Sequence, residues 1–378
     1  MPALRASFMA VALVMTPLVA AAAQSNLSSQ GFGFPTGQFS ARTHGTGGAL
    51  AEMDPLSPVN PASIAALGTR LVFFQIEPEF RSVTTSGGTE RTTTARYPNV
   101  FGALPISGLV VSLGASTLLD RTSTTVFNTT QVLSTNETVP ITTRFRVDGA
   151  MDDVRLAAGW NPASWLRLGL GAHAITGHNL VSITQSFADS LTFASFTQQR
   201  VLGFSGGAVS AGVQFVTKSF NAAFSGRRGA SLSLSDEDTV LSKARVPDRF
   251  GASIAYTGIA NSAIAIRTSR DTWSSLRGLG APGLNPVDAW DTSIGADLAG
   301  PRFGERILFL RGGFRTRTLP FTAADAKVRE NSITGGLGTA FAGNRVLADV
   351  ALIHATRSAA LDASERAWTV SIGISVRP

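Results

Sequence analysis

The chain has no cysteine. That excludes disulfide staples and thiolate metal sites, so stability rests on burial and closed hydrogen bonding. Charge is scarce: Asp, Glu, Lys and Arg make up 15% of 378 residues. Lysine occurs only at Lys218, Lys243 and Lys327, and glutamate is sparse too. Poverty in these helix formers argues against a helical protein. Beyond residue 23 no apolar run approaches the roughly 20 residues that a membrane-spanning helix needs. Apolar stretches are interrupted every few residues by Ser, Thr, Gly, Arg or Asp.

Catalytic signatures are missing as well. No nucleophile elbow at a strand-to-helix turn and no His-Glu-x-x-His helix is expected, and the histidines (His44, His173, His178, His354) are dispersed. The chain reads as a non-enzyme with no cofactor and no metal site. Asp236-Glu237-Asp238 reads as a solvated acidic tip, with Ca²⁺ binding as the alternative. The formal net charge of +7 comes mostly from arginine. These arginines are scattered, with no basic helix and no zinc or RNP-type motif, so nucleic acid is excluded as a partner. Anionic lipid headgroups account for the sign equally well.

What is present is glycine (38 residues) with abundant Ser and Thr, the composition of many strands joined by turns. At the N-terminus, Arg5, an apolar stretch from Phe8 to Val19 and the small-residue run Ala20–Ala23 predict a signal peptide over 1–23, cleaved before Gln24. A membrane anchor is the alternative, and the apolar core is short for it.

Period-2 alternation dominates the remainder. Trp368, Val370, Ile372, Ile374 and Val376 share one face, with Thr369, Ser371, Gly373, Ser375 and Arg377 on the other. Similar segments include Val72–Phe80, Leu109–Ala115, Leu166–Ala174, Phe250–Tyr256, Trp290–Leu298, Leu308–Phe314, Ile333–Phe341 and Val346–Leu352. Short turns (Gly258–Ser262, Gly300–Gly304, Ala342–Arg345) alternate with longer polar links (Ser274–Ala289, Thr318–Asn331, Arg357–Glu365). Short turns on one rim and long loops on the other are the outer-membrane barrel arrangement.

A strand crossing a bilayer needs about 9–11 residues, longer than the usual strand of a soluble sandwich. The reading is therefore all-β: a transmembrane antiparallel up-and-down β-barrel of about 14 strands over 69–378, behind an N-terminal hatch segment over 24–68. A secreted propeller or jelly roll is the soluble alternative, but no blade-length repeat is visible. Two irregularities are expected. The apolar phase slips near Ala150–Asp153, which predicts a β-bulge. Pro78, lacking an N–H, predicts a bulge or broken pairing in the first strand.

Residues 24–68 do not alternate. They carry Gly31–Gly37, the run Thr46–Asp54 and Asn60-Pro61-Ala62, where Asn60 caps and Pro61 starts a short helix. Gly47–Ala51, Asp54, Asn60–Ala62 and the turn Pro105–Gly108 together resemble the FadL/TodX-type superfamily of outer-membrane transport proteins, including the related PorV-type barrels. Ser63 replaces the glycine usual in that family, and Val376-Arg377-Pro378 replaces its terminal aromatic.

The resemblance implies a barrel closed by the N-terminal hatch, with Gly47, Gly48, Asp54, Asn60 and Pro61 as the hatch motif. In the FadL branch, fatty acids or aromatics enter from outside and leave sideways into the membrane by passive diffusion. In the PorV branch, the barrel scaffolds or shuttles proteins for a secretion system. The implied location is the bacterial outer membrane. The implied partners are membrane lipid, lipopolysaccharide, the barrel-assembly machinery and a hydrophobic or amphiphilic small molecule.

One inward constellation stands out. Arg311, Arg315 and Arg317 lie near Phe309, opposite Asp291 and Asp297. They are candidate ligand residues for a carboxylate or phosphate headgroup, because arginine grips such anions bidentately. The alternative is an ion-pair network that stiffens the lumen.

Overall fold

The computed structural model describes residues 27, 29, 32–85, 88–132, 138–188, 193–280, 285–304, 306–323, 325–359 and 363–378. The expected signal peptide lies outside the described residues, as does Gly31.

Among the described residues, seventeen strands form one closed antiparallel sheet. β1 (Leu71–Thr85) pairs with β2 (Gly88–Ile106) on one side and with the last strand, β17 (Ser364–Val376), on the other. β3 (Leu109–Asp120) and β4 (Ser123–Val132) follow one another along β5 (Thr138–Ala163). β6 (Leu166–Thr176) and β7 (His178–Phe187) do the same between β5 and β8 (Phe196–Val216). β10 (Thr239–Arg245) and β11 (Arg249–Tyr256) share β9 (Phe220–Asp236). β12 (Ala263–Asp271), β13 (Ala289–Phe303), β14 (Arg306–Ala323), β15 (Ala326–Phe341) and β16 (Val346–Ser358) complete the ring. With each interrupted pair counted as one wall strand, the barrel has 14 strands, as expected.

Closure follows from the solvent. Lipid offers no hydrogen-bond partners, so a spanning sheet cannot leave an edge. The Val72↔Val376 pairing seals the last edge and brings both ends of the barrel chain to one rim, the near rim. The outward face is the apolar one: Leu156 is 54% exposed, Trp290 55% and Ile333 66%. A belt of this kind is stable only against hydrocarbon. Among the described residues no helix is long and apolar enough to cross a membrane.

Three expectations are corrected. Thr318–Asn331 is not a long loop: β14 runs to Ala323 and β15 starts at Ala326, so the hairpin continues past the membrane. Arg357–Glu365 likewise begins and ends in strand, and β13 extends through Gly300 to Phe303. Strands reach well beyond the bilayer toward the far rim; β5 has 26 residues against the 9–11 or so needed to cross.

The phase slip near Ala150–Asp153 is not a bulge in β5. Its odd-numbered side chains face inward from Val139 and Ile141 to Asp153, Arg155 and Ala157, and its register to β7 and β6 is continuous from Ile141 to Trp160, shifting only beyond Trp160. What inverts is the solvent. Below Asp153 the outward face meets lipid and carries Val154, Leu156 and Trp160. Above it the outward face meets water and carries Thr142, Arg144 and Arg146, so the apolar side chains turn inward. The extra residue sits opposite, on β3, between Thr117 and Leu119. The irregularity expected at Pro78 lies just before it: the β1–β2 register shifts between Gln75 and Glu77.

Residues 32–68 lie inside the ring. They hold a one-turn helix, α1 (Ala41–Gly45), capped by Ser40, and a 3₁₀ helix at Pro61–Ala66 capped by the Asn60 side chain. A second 3₁₀ helix, Trp273–Leu279, adds Trp273, Leu276 and Leu279 to an apolar cluster with Phe32, Leu118, Leu119, Met151, Phe204 and Phe321. That cluster fills the lumen toward the far rim.

The boundary at Asp153 has a direct test. Leu156→Arg should cost about 2 kcal/mol or more in reversible urea unfolding from bilayers, because the charge is forced into lipid. Thr142→Arg, on the same strand above the boundary, should stay within about 0.5 kcal/mol.

Candidate functional site

The lumen is lined by inward polar positions of the wall strands, and arginine and carboxylate alternate around it. In β1, Gln75, Glu77, Glu79 and Arg81 are all buried. Glu79 accepts from Arg81, from Arg96 Nη1 at 2.7 Å and from Arg357 Nη1 at 3.1 Å. Arg357 also contacts Glu365, and its Nε donates to Glu330 Oε2 at 2.6 Å. Glu330 Oε1 takes Arg317 Nε at 2.6 Å. Arg315 grips Asp291 bidentately, 2.8 Å on each side, and Arg267 reaches the same carboxylate at 3.1 Å. Each of these guanidiniums is paired with at least one fixed carboxylate, which is how such charges persist in a low-dielectric interior, although Arg96 keeps a buried Nη2 without a partner.

The N-terminal segment plugs into this ring through its own polar groups. Glu52 is fully buried. It accepts from Ser225 Oγ at 2.6 Å and from Arg249 and Arg267 at 3.2 Å each. Arg42 donates to Asp297 at 3.0 Å. Burial alone would lower the Arg42 pKa, but the carboxylates of Asp297, Asp54 and Asp349 outweigh it and hold the group above its ordinary value. His44 Nε2 lies 2.9 Å from Glu77 Oε1.

The proposed hatch motif organises the segment itself. Asp54 Oδ2 accepts from Ser40 Oγ at 2.6 Å and Ser57 Oγ at 3.0 Å. Asn60 caps Ala62 N at 2.9 Å and donates to Glu52 O at 2.8 Å, and Pro61 starts the 3₁₀ turn. Gly47 and Gly48 have φ of 66° and 92°, the left-handed region that glycine enters at little cost. They let the chain lie against the wall, where Gly313 has no space for a Cβ beneath Thr46.

The four residues expected to hold a ligand point inward, but the structure does not bring them together. Arg315 and Arg317 line a cavity of about 100 Å³ on the far-rim side, with Phe34, Phe39, His44 and Arg357. Phe309 and Arg311 line a second, of about 160 Å³, on the near-rim side, with Arg42, Asp54 and Asp297. α1 stands between them, His44 facing one and Arg42 the other. Arg311 is paired with Asp297 at 3.1 Å and Asp349 at 2.7 Å, so the ion-pair network expected as the alternative is what the geometry realises. Both cavities mix charged side chains with apolar ones such as Phe34 and Leu118 in the first and Leu56 and Leu347 in the second. The large apolar hollow, about 770 Å³, adjoins Leu156, Leu170, Val209 and Phe250, whose side chains face lipid.

Sequence reasoning missed Glu52, Phe34, Arg267 and Arg357. Arg267 and Arg357 were findable, because each sits in the inward phase of its strand. Glu52 and Phe34 belong to a segment with no periodicity, so nothing marked them.

His173 faces the lumen: its Nδ1 lies 2.8 Å from Asp153 Oδ1 and its Nε2 2.8 Å from Ser210 Oγ. Beside this chain of contacts Arg155 holds Pro58 O at 2.5 Å, and Asn60 packs over Gly212. The group braces the wall beneath the segment. The string Gly203-Phe204-Ser205-Gly206-Gly207 has elbow spacing but lies within β8 with Ser205 exposed outward, not at a strand-to-helix turn.

No protein-family model matches the chain, and no curated protein matches it. Solved structures do. A Pseudomonas aeruginosa FadL homologue aligns with TM-score 0.58 at 12% identity, over 91% of this chain and 99% of the other. The P. putida toluene transporter TodX aligns with TM-score 0.59 at 12% identity, over 93% and 99%. The monoaromatic hydrocarbon channel CymD aligns with TM-score 0.55 at 13% identity, over 89% and 96%. The chain has the FadL/TodX-type barrel fold over most of its length.

Removing one partner of a buried charge group leaves the others uncompensated, at a cost of about 3–5 kcal/mol. Glu52→Ala should therefore loosen residues 39–57, read as faster amide hydrogen exchange there, while the barrel keeps its heat resistance on gels.

Proposed function

We propose that this chain is a bacterial outer-membrane channel for a hydrophobic or amphiphilic small molecule, fatty-acid-like or aromatic, that passes by diffusion when the N-terminal segment shifts. The observation that carries the reading is the segment itself. Residues 32–68 fold as a unit inside a closed barrel, seated by side-chain pairs, with a cavity on either side of α1. A unit held that way can move without opening the wall. The fold of the hydrocarbon and toluene channels supports the same reading. In this structure the wall is closed around the full ring, so passage depends on the segment and not on a standing hole.

Nothing in this reading calls for an enzyme, a metal or a cofactor. Export by a cleaved signal peptide, insertion by the barrel-assembly machinery and contact with lipid and lipopolysaccharide belong to it. A scaffold or shuttle for secreted proteins would present long loops to its partner. Of the far-rim connections, β9 to β10 and β14 to β15 are instead tight hairpins, and the longer link from β12 to β13 turns Trp273, Leu276 and Leu279 inward.

The cysteine-free chain permits a clean test. A Cβ on Gly373 would sit 3.0 Å from that of Ala41, a little inside the 3.5–4.5 Å or so of a disulfide. The double variant Ala41→Cys/Gly373→Cys should pass radiolabelled toluene or oleate into proteoliposomes when reduced and stop when oxidised. Flux of neither compound through the wild-type protein would refute the channel. Flux that ignores oxidation would refute the segment as its gate.

A further inference from the structure

One row of outward positions crosses six neighbouring strands of the wall. Val111 pairs with Ala158, Ala158 with Leu170, Leu170 with Ala211, Ala211 with Gly226 and Gly226 with Phe250. Ala158, Ala211 and Gly226 barely rise above the backbone, while Leu156 and Val209 stand beside them. The dip they leave is the apolar hollow of about 770 Å³. Five strand spacings of about 4.8 Å make the row roughly 24 Å long.

The row leaves the hydrocarbon at one end. Beyond Phe250 it continues to Arg270 and then to Trp290, whose ring centre lies 5.8 Å from the Arg270 guanidinium carbon. Arg228, two residues past Gly226 on the same face of β9, also borders the hollow. Tryptophan beside arginine marks the headgroup level of a bilayer. The other end, at Val111, lies between the exposed Leu109 and Leu113 and stays in lipid.

We propose that this row binds one phosphorylated, acylated glycolipid of the outer leaflet, with an acyl chain in the hollow and a phosphate on Arg228, Arg245 and Arg270. The inference rests on the outer-membrane placement in the channel reading and turns general contact with lipopolysaccharide into a defined site.

The charges favour an anion at that end. Arg228 Nη1 lies 2.6 Å from Asp248 Oδ2, and Arg245 Nη2 lies 4.0 Å from Asp248 Oδ1. The two guanidiniums therefore flank one carboxylate. Gly229 N donates to that carboxylate at 2.8 Å and fixes it to the wall. Arg270 donates to Asp288 at 2.8 Å, and Ser274 Oγ donates to the same carboxylate at 2.6 Å. Three arginines thus meet two carboxylates. The Arg228 and Arg245 side chains are 65% and 52% exposed, against 13% for Asp248. Each guanidinium has five N–H donors, so those turned outward are free for phosphate oxygens, which arginine grips bidentately. A second barrel packed on this face would instead press its own apolar belt against the arginines.

The test measures binding of bisphosphorylated lipid A, phosphatidylglycerol and phosphatidylethanolamine to the full-length protein in detergent, by native mass spectrometry. Wild type should hold one lipid A, preferred about tenfold or more over phosphatidylethanolamine. Arg228→Gln/Arg245→Gln should weaken lipid A binding about thirtyfold, the usual worth of two arginines near an anionic headgroup. Gly226→Leu/Ala211→Leu fills the hollow and keeps every charge. It should weaken binding about tenfold, the cost of roughly two displaced methylenes. A Cβ on Gly226 meets the Phe250 ring first, at 3.6 Å, so the wall has room for it. If that variant loses its heat-resistant barrel on gels, Ala211→Leu alone carries the test. Unchanged lipid A binding in either folded variant overturns the proposal. Phosphatidylglycerol held as tightly as lipid A overturns it too, by exposing an unselective anionic collar. A lipid-free dimer gives the hollow to a second copy and does the same. Selective lipid A binding without flux of toluene or oleate sinks the channel and leaves this site standing. Flux without selective binding does the reverse.

Discussion

A backbone N–H or C=O left unpaired in hydrocarbon costs several kcal/mol, and the whole molecule is arranged around that penalty. β1 must find β17, because no other partner exists for either edge. Closure at Val72↔Val376 then decides much else. It puts both barrel ends at one rim, sends Val72, Phe74 and Phe80 into lipid, and turns Gln75, Glu77, Glu79 and Arg81 into an enclosed lumen. The N-terminal segment has a place to fold only because the ring exists.

Inside that ring the problem reverses. Polar side chains removed from water need partners. Arginine and carboxylate on neighbouring strands supply one another, as at Arg315–Asp291 and Arg317–Glu330. The segment enters the same exchange through Glu52 and Arg42, and it is seated as well by apolar side chains, Leu50 against Ala255 and Ala265 and Ile64 in a cluster with Phe73 and Phe101. Ionic seating of this kind fixes the segment's register against the wall, because each charge has its own partner. The same network leaves guanidinium faces uncovered, and two phenylalanines of the segment, Phe34 and Phe39, occupy them.

Much of the barrel was legible because lipid imposes a simple rule on alternate residues. Trp368 to Val376, Trp290 to Leu298 and Ile333 to Phe341 each declare a lipid face, and the count of about 14 strands follows. β5 shows where that rule misleads. Its apolar phase inverts at Asp153 with no change in backbone register, because the strand passes from lipid into water. A pattern cannot distinguish a shifted backbone from a changed solvent. Hairpins such as β14–β15 were misread as loops for a related reason: above the membrane, strands lose the apolar alternation that reveals them.

The site divides along the same line. That Arg311, Arg315 and Arg317 face inward is a consequence of their spacing, since side chains two apart on a strand must share a face. That α1 passes between Arg311 and Arg315, placing them in different cavities, depends on contacts across hundreds of residues, such as Arg42 to Asp297. Period, composition and capping chemistry act locally, so the amino-acid order alone settles strands, faces, the Asn60 cap and the turn glycines. Partners such as Glu52 with Arg267, or Phe34 with Arg357, are chosen only when the ring closes, because until then nothing holds those side chains at a common distance.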